Sequence, residues 1–199
     1  MILEALLLTL AISLDAFASG FAYGANKIRI PLRSILLITI IGSTFLGISL
    51  FFGAGIGQFV SPVVATVISS VILITLGLSK IFGGLIKNII SKRKNTLLKV
   101  CAEPTSADLD KSKMLSIKEA ALLAVALSLD ALAVGVGAGI TSLSLEFYLI
   151  VIGLSLAMDV ILMSLGVLLG TKVAKKTKVN LSWVGGLILI GVAVMNIFL

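Results

Sequence analysis

Apolar residues in this chain neither alternate at period two nor form narrow stripes; they run in blocks of seventeen or more residues that are apolar on every side. Such blocks occupy residues 2–25, 34–57, 62–86, 117–140, 145–170 and 183–199. A helix needs roughly 20 apolar residues to cross about 30 Å of hydrocarbon. Strands of a membrane barrel would alternate in polarity, and irregular backbone is not tolerated against lipid. The pattern therefore predicts an all-α integral membrane protein with six transmembrane helices. Polar residues collect between the blocks. The longest polar stretch divides the chain into a first three-helix unit (residues 1–86), a linker rich in both charges (87–116) and a second three-helix unit (117–199).

Composition agrees and narrows the chemistry. The chain is 59% hydrophobic and only 13% charged, with a mean hydropathy of +1.22. That leaves too little polar surface to cover a soluble globule, and too much apolar surface for disorder. One cysteine, Cys101, excludes an intrachain disulfide framework and a cysteine metal cluster. There is no histidine, so the commonest general base and transition-metal ligand is missing. Chemistry must rest on carboxylates, hydroxyls, amides, thioethers and backbone.

The net charge of +7 comes from the loops. Lys27, Arg29 and Arg33 lie in the first, Lys87, Lys92, Arg93, Lys94, Lys99, Lys111, Lys113 and Lys118 in the third, and Lys172, Lys175, Lys176 and Lys178 in the fifth. The second and fourth loops have none, and Lys80 is the one basic residue inside a span. The positive-inside rule makes the odd loops cytoplasmic and puts both termini outside. The expected location is the cell membrane, and nucleic acid is not needed to explain the charge. Met1-Ile2-Leu3-Glu4 offers no basic region ahead of the first apolar run, which argues against a cleavable signal peptide.

The first and fourth spans repeat one another. EALLLTLAISLDAFASGFAYG from Glu4 aligns without gaps on EAALLAVALSLDALAVGVGAG from Glu119, at an offset of 115. The second and fifth spans align more weakly, through Gly42/Gly153 and Gly55/Gly166 at offset 111, which pairs Asp159 with Ile48. Each copy holds an odd number of spans, so the two must insert in opposite orientations. Inverted repeats of this kind are characteristic of transporters whose substrate site lies near mid-membrane.

The repeat carries acids. Asp15 and Asp130 are equivalent and lie near the middle of their spans, as Asp159 does in the fifth. Carboxylates cost at least about 2.5–3.5 kcal/mol at the bilayer centre, so they should face the interior and find a partner. With so few basic residues in the spans, a cation or protons must balance them. Ser19 lies one turn from Asp15, and Ser155 and Met163 flank Asp159 at the same spacing. Oxygen donors suit hard divalent ions, while a thioether would favour softer ones. The glycines Gly20, Gly24, Gly135, Gly137 and Gly139 allow close helix packing or a local helix break. Glu4 and Glu119 each precede a motif aspartate by eleven residues, about 16 Å along one helix face, which puts a carboxylate at the outer and the inner mouth. Both equally suit a helix N-terminus.

In the linker, Asp108, Asp110, Ser112, Ser116 and Glu119 occupy positions 1, 3, 5, 9 and 12 of an EF-hand-type loop, with Lys113 where glycine is required. The plainer alternative is a capping box, Ser116-x-x-Glu119, opening the fourth helix.

The doubled S-L-D-A-[FL]-A-x-G motif, on the first and fourth of six short-looped spans, resembles the manganese efflux pump family MntP. Together with the linker residues Ala107–Ser112 and Ser116–Ala120, the chain looks more closely like the related YtaF group of sporulation membrane proteins. The resemblance implies a divalent-cation exporter with the motif aspartates at Asp15 and Asp130. Pumps of the manganese group often carry an acid in the second helix, where this chain offers Thr44, Phe45 and Ser49; Asp159 is placed to compensate.

The function expected is a secondary transporter that exports a divalent cation, manganese first and calcium second, by alternating access with proton coupling. Asp15, Asp130 and Asp159 would hold the ion with Ser19, Ser155 and Met163. The ion is substrate; no permanently bound cofactor and no enzymatic reaction are expected, and no ATP-binding motif is present. The partners are the metal ion and the lipid bilayer, and a homo-oligomer is compatible with both. The alternatives are an assembly protein of the spore envelope and an intramembrane aspartyl protease.

Overall fold

The computed structural model describes residues 2–90, 100, 104–141, 144–173 and 194. These form five α-helices: α1 (Ile2–Ala25), α2 (Leu32–Gly57), α3 (Pro62–Ile90), α4 (Ile117–Thr141) and α5 (Leu145–Val173). A short 3-10 turn at Pro104–Ala107 precedes α4. Among the described residues there is no strand. The sixth expected span, 183–199, lies outside them apart from residue 194, as does the linker at 91–99 and 101–103. α1, α2, α4 and α5 are each long and apolar enough to cross a membrane. Their outward faces carry exposed Leu6, Ile40, Phe51, Phe52, Leu129, Leu149, Ile161 and Leu168, while serines and small residues lie inside. That arrangement suits lipid rather than water around the bundle.

The helix ends follow local chemistry. α1 stops at a left-handed Lys27 (φ 58°), where the Lys27 and Ile28 N–H groups cap the Gly24 and Tyr23 carbonyls. α2 starts behind Pro31, whose carbonyl accepts from Ser34 and Ile35. α4 opens with the capping box: Glu119 Oε2 accepts from the Ser116 N–H at 2.9 Å, and Ser116 Oγ accepts from the Glu119 N–H at 3.4 Å.

Packing runs across the chain rather than along it. α1 lies chiefly on α5 and α2 chiefly on α4, with α3 against α4 and α2 touching α5. Both principal pairs are built from facing G-x-x-x-G steps. A Cβ on Gly20 or Gly24 would strike the carbonyls of Met163 or Val167, and one on Gly166 or Gly170 those of Phe17 or Phe21. In the other pair, Gly53 and Gly57 are pressed on the Val136 and Ile140 carbonyls, and Gly139 on that of Leu50. Only glycine lets two helices approach so closely. Among the described residues no glycine has positive φ, so the glycines there do not break helices.

Contact positions climb together in each pair, so α1 runs parallel to α5 and α2 parallel to α4. Because α2 and α4 point the same way, the chain must return between them. At 1.5 Å per residue the 29 residues of α3 span about 43 Å, enough for that crossing.

The register of the second and fifth helices differs from the one expected. Gly20 and Gly24 meet Met163 and Val167, while their equivalents Gly135 and Gly139 meet Leu46 and Leu50. That packing relates α2 to α5 by 117 positions, not 111. Gly42, Gly55 and Gly153, which suggested the shorter offset, have nothing within 4 Å of an added Cβ. Glycine alone could not fix the register, because each helix carries several and only some touch a neighbour. In the corrected register, Asp159 corresponds to Gly42.

Candidate functional site

Four helices leave a cavity between them near their midpoints, about 40 Å³ in volume, large enough for an ion or a few water molecules. Ile12, Asp15 and Ala16 of α1 line it, with Thr39 and Gly42 of α2, Ser128 of α4, and Ser155 and Asp159 of α5. Two carboxylates and three hydroxyl residues therefore border one space, and among the described residues no lysine or arginine does.

Asp159 is the most confined acid. It lies at the middle of α5, is 9% exposed, and its Oδ1 is buried without a hydrogen-bond partner. Ser13 of α1, fully buried, comes close enough to act on this carboxylate. Its Oγ also completes no hydrogen bond. Unsatisfied oxygens of this kind are costly inside a protein and mark a place where a ligand or proton would be stabilised. The remaining hydroxyls are anchored on their own helices. Ser128 Oγ donates to the Ala124 carbonyl (2.6 Å), Ser155 Oγ to that of Ile152 (3.0 Å), and Thr39 Oγ1 to that of Leu36 (3.0 Å). Ser43 Oγ lies 3.4 Å from Ser155 Oγ and links α2 to α5. Each hydroxyl oxygen keeps lone pairs free for a cation.

The structure brings together some of the residues expected from sequence and separates others. Asp15, Ser155 and Asp159 share the cavity. Asp130 is half-buried on α4 and does not line it. The reason is helical geometry: Ser128 faces the cavity, and Asp130, two residues on, is turned about 200° around the axis. Ser19 is buried outside the lining. Met163 is fully buried among apolar side chains, including Ala16 and Tyr23, and also lies off the cavity. The lining side chains with polar atoms are thus all oxygen donors. Thr39, Gly42 and Ser128 had no part in the sequence-based site. Ser128 was recoverable, since it is the serine of the repeated Ser-Leu-Asp-Ala, whereas Thr39 and Gly42 stand out only once the helices are packed.

Of the two acids expected at the mouths, Glu4 is half-buried in the first turn of α1. Glu119 is buried and fully engaged: Oε1 accepts from the Leu109 N–H (2.7 Å) and the Asp110 N–H (3.4 Å), and Oε2 from Ser116 N–H and Oγ. This carboxylate clasps the linker onto α4.

The linker acids do converge. Asp108, Asp110 and Glu119 each place an oxygen within 4.8 Å of the others. Ser112 is joined to Asp110, its N–H donating to Asp110 Oδ1 at 2.9 Å. That bond holds the exposed Asp110 carboxyl below the usual aspartate range, while Asp108 is pushed up, first by desolvation and then by its acidic neighbours. Lys113 adopts the left-handed turn (φ 61°) that glycine makes in an EF-hand loop. The oxygens of Glu119 are nevertheless taken by N–H and hydroxyl donors, as the capping-box alternative requires.

Residues 95–197, just over half of the chain, match the family model "Mntp: Putative manganese efflux pump". Over 140 residues the chain is 31% identical to the "Probable sporulation protein YtaF" of Bacillus subtilis (strain 168), which covers 63% of this chain and 67% of that protein. No solved structure matches it.

Proposed function

The chain belongs to the MntP/YtaF family of multi-pass membrane proteins, and on that premise we propose that it exports a divalent cation, manganese first, by alternating access. One observation carries the proposal: a mid-helix cavity bordered by Asp15, Asp159 and three hydroxyl residues, with no basic side chain among its described lining. Such a space has negative charge to balance and hard oxygen donors to do it with, the combination that holds manganese, magnesium or calcium. A six-span inverted repeat is part of the proposal. Its support is the matching construction of the α1/α5 and α4/α2 interfaces, with α1 taking the part of α4 and α2 that of α5. Halves related in this way can rock about a fixed central site.

The ion is held by Asp15 and Asp159, with Ser128, Ser155 and Thr39 completing its shell. Asp130 serves the equivalent position when the halves exchange orientation. Asp159 accepts a proton at Oδ1 when the ion leaves, with the Ser13 hydroxyl beside it as a hydrogen-bond partner, so the buried charge is never left unbalanced. Clustering of basic residues in the odd loops supports cytoplasmic loops there and termini outside.

The test is ion flux into proteoliposomes with manganese, calcium, magnesium and zinc, with a pH dye for protons. Wild type should carry manganese, and Asp15→Asn and Asp159→Asn should lower flux at least about tenfold, since loss of even an outer partner typically costs about 10–100-fold in metal affinity. Folded protein that carries none of these ions under either gradient would favour a second reading, suggested by the name of the Bacillus relative, of an assembly protein in sporulation.

A further inference from the structure

The cavity has two ends, and they are flanked differently. Toward the ends of α2 and α4 it is closed by side chains of the spans themselves, among them Leu46, Leu50, Ala131 and Val134. Toward the end of α1 and the start of α4 an added segment packs behind its wall. Val100, Ala107 and Leu115, all buried, pack in one apolar cluster with Tyr23, Ile28 and Ile35. Ala16, Ile38 and Ala124 belong both to that cluster and to the cavity wall. The strap thus packs behind the cavity wall on the side marked by Lys27, Arg29, Arg33, Lys111, Lys113 and Lys118, the cytoplasmic side by charge.

The strap is fixed to one half of the molecule and latched to the other. Glu119 holds it to α4 through Leu109, Asp110 and Ser116. Its grip on the α1–α2 turn is narrow. Arg29 N–H donates to the Lys113 carbonyl (2.8 Å), Leu115 N–H to the Arg29 carbonyl (3.0 Å), Ser34 Oγ to the Leu115 carbonyl (3.1 Å), and Tyr23 Oη to the Pro104 carbonyl (2.7 Å). Three non-glycine residues, Lys27, Lys111 and Lys113, take left-handed backbone around this contact, a conformation that persists only while its surroundings hold it. Apart from the strap, α1 and α4 make little contact.

We propose that residues 104–116 are the cytoplasmic gate of the cavity, a strap whose apolar underside seals the inner end and whose four hydrogen bonds to the α1–α2 segment break when that end opens. The gate itself follows from the packing; its service to an ion rests on the transport function proposed above.

The experiment separates the two. In a Cys101→Ser background, Arg29→Cys and Met114→Cys are placed at the bridge that pairs these residues, and Thr39→Cys reports from the cavity wall. Inside-out vesicles are treated with a small, membrane-impermeant methanethiosulfonate, before and after oxidation of the 29–114 pair. Reduced protein should label at position 39, and oxidation should slow labelling by at least about tenfold as the closed state is locked. Ser34→Ala combined with Tyr23→Phe, which leaves the bridge in place, should speed it. Equal labelling in both redox states, or none in either, overturns the gate. Manganese flux through vesicles that hold the 29–114 cysteine pair with Thr39 kept intact gives the second arm. Flux lost on oxidation and restored by reductant supports a gate on the ion's path, and undiminished flux through the oxidised protein overturns it. Redox-dependent labelling without flux of any divalent ion leaves the gate standing and removes the transport function.

Discussion

Alanine substitution along the glycines separates contacts that hold the bundle together from glycines that merely occur in it. A Cβ on Gly139 would run into the Leu50 carbonyl and sit 3.1 Å from the Gly53 Cα, and both are backbone that cannot rotate aside. Forcing such a contact costs about 1–3 kcal/mol. Alanine recovers about 1 kcal/mol as a better helix former, so Gly139→Ala should lose up to about 2 kcal/mol. Gly55 has nothing within 4 Å, so Gly55→Ala keeps the propensity gain alone and should stabilise by about 0.5–1 kcal/mol. At roughly 2–4 °C per kcal/mol for a chain of this size, the two melting temperatures move in opposite directions. Thermal unfolding of purified protein in detergent measures both. Gly53 and Gly139 face one another, so separating the helices once relieves both clashes, and the double alanine variant should lose less than the sum of the single ones. Gly135→Ala falls between, because its nearest neighbour is the Ser49 hydroxyl, which can turn away at the expense of its bond to the Leu46 carbonyl. If Gly55→Ala is as damaging as Gly139→Ala, or if the double variant is additive, the close-packed interfaces described here are wrong.

Other outcomes follow from single sites. Gly42 lines the cavity, has open space beyond its Cα and corresponds to Asp159 in the packing register; Gly42→Asp should therefore restore part of the manganese flux lost in Asp159→Asn, and no recovery in folded protein would break that correspondence. Ser116→Ala removes the cap of α4 and should cost about 1 kcal/mol, read as a lower melting temperature and faster hydrogen exchange at the start of that helix. The Ser112 bond keeps Asp110 below its ordinary value, so its contribution to linker order is present above about pH 4 and fades as pH falls through the lowered folded value. NMR titration of the Asp110 carboxyl should show a midpoint below that of Asp108, and the reverse order would contradict the hydrogen bonding described.

The broad outline of this protein was legible because membrane insertion imposes a one-dimensional signal. Uninterrupted apolar length locates helices without any knowledge of partners, and four of the predicted spans coincide with long apolar helices within a few residues at each end. The capping box was legible for a similar reason, since Ser116 and Glu119 interact across a single turn. Site membership was harder, because it depends on rotation about helix axes. Asp15 and Asp130 occupy equivalent positions in a repeat, yet only Asp15 reaches the cavity, which lies to opposite sides of the two helices. Spacing by one turn grouped Ser155 with Asp159, which share the cavity lining, but also enlisted Met163 and Ser19, which lie off it. Thr39 and Gly42 carry no mark in sequence. A threonine in an apolar helix usually bonds its own backbone, and a glycine that lines a cavity looks like one that touches lipid.

The pairing of α1 with α5 and of α2 with α4 also sets an order of assembly. The first two spans leave the ribosome with their glycine faces unmatched, since each finds its main partner only after the linker and α4 or α5 have been made. Until then they must wait in lipid or in the insertion machinery, held by topology alone. A nascent chain halted after α3 should be a target for quality control, and the two halves produced as separate polypeptides should find one another in the membrane and complete the fold.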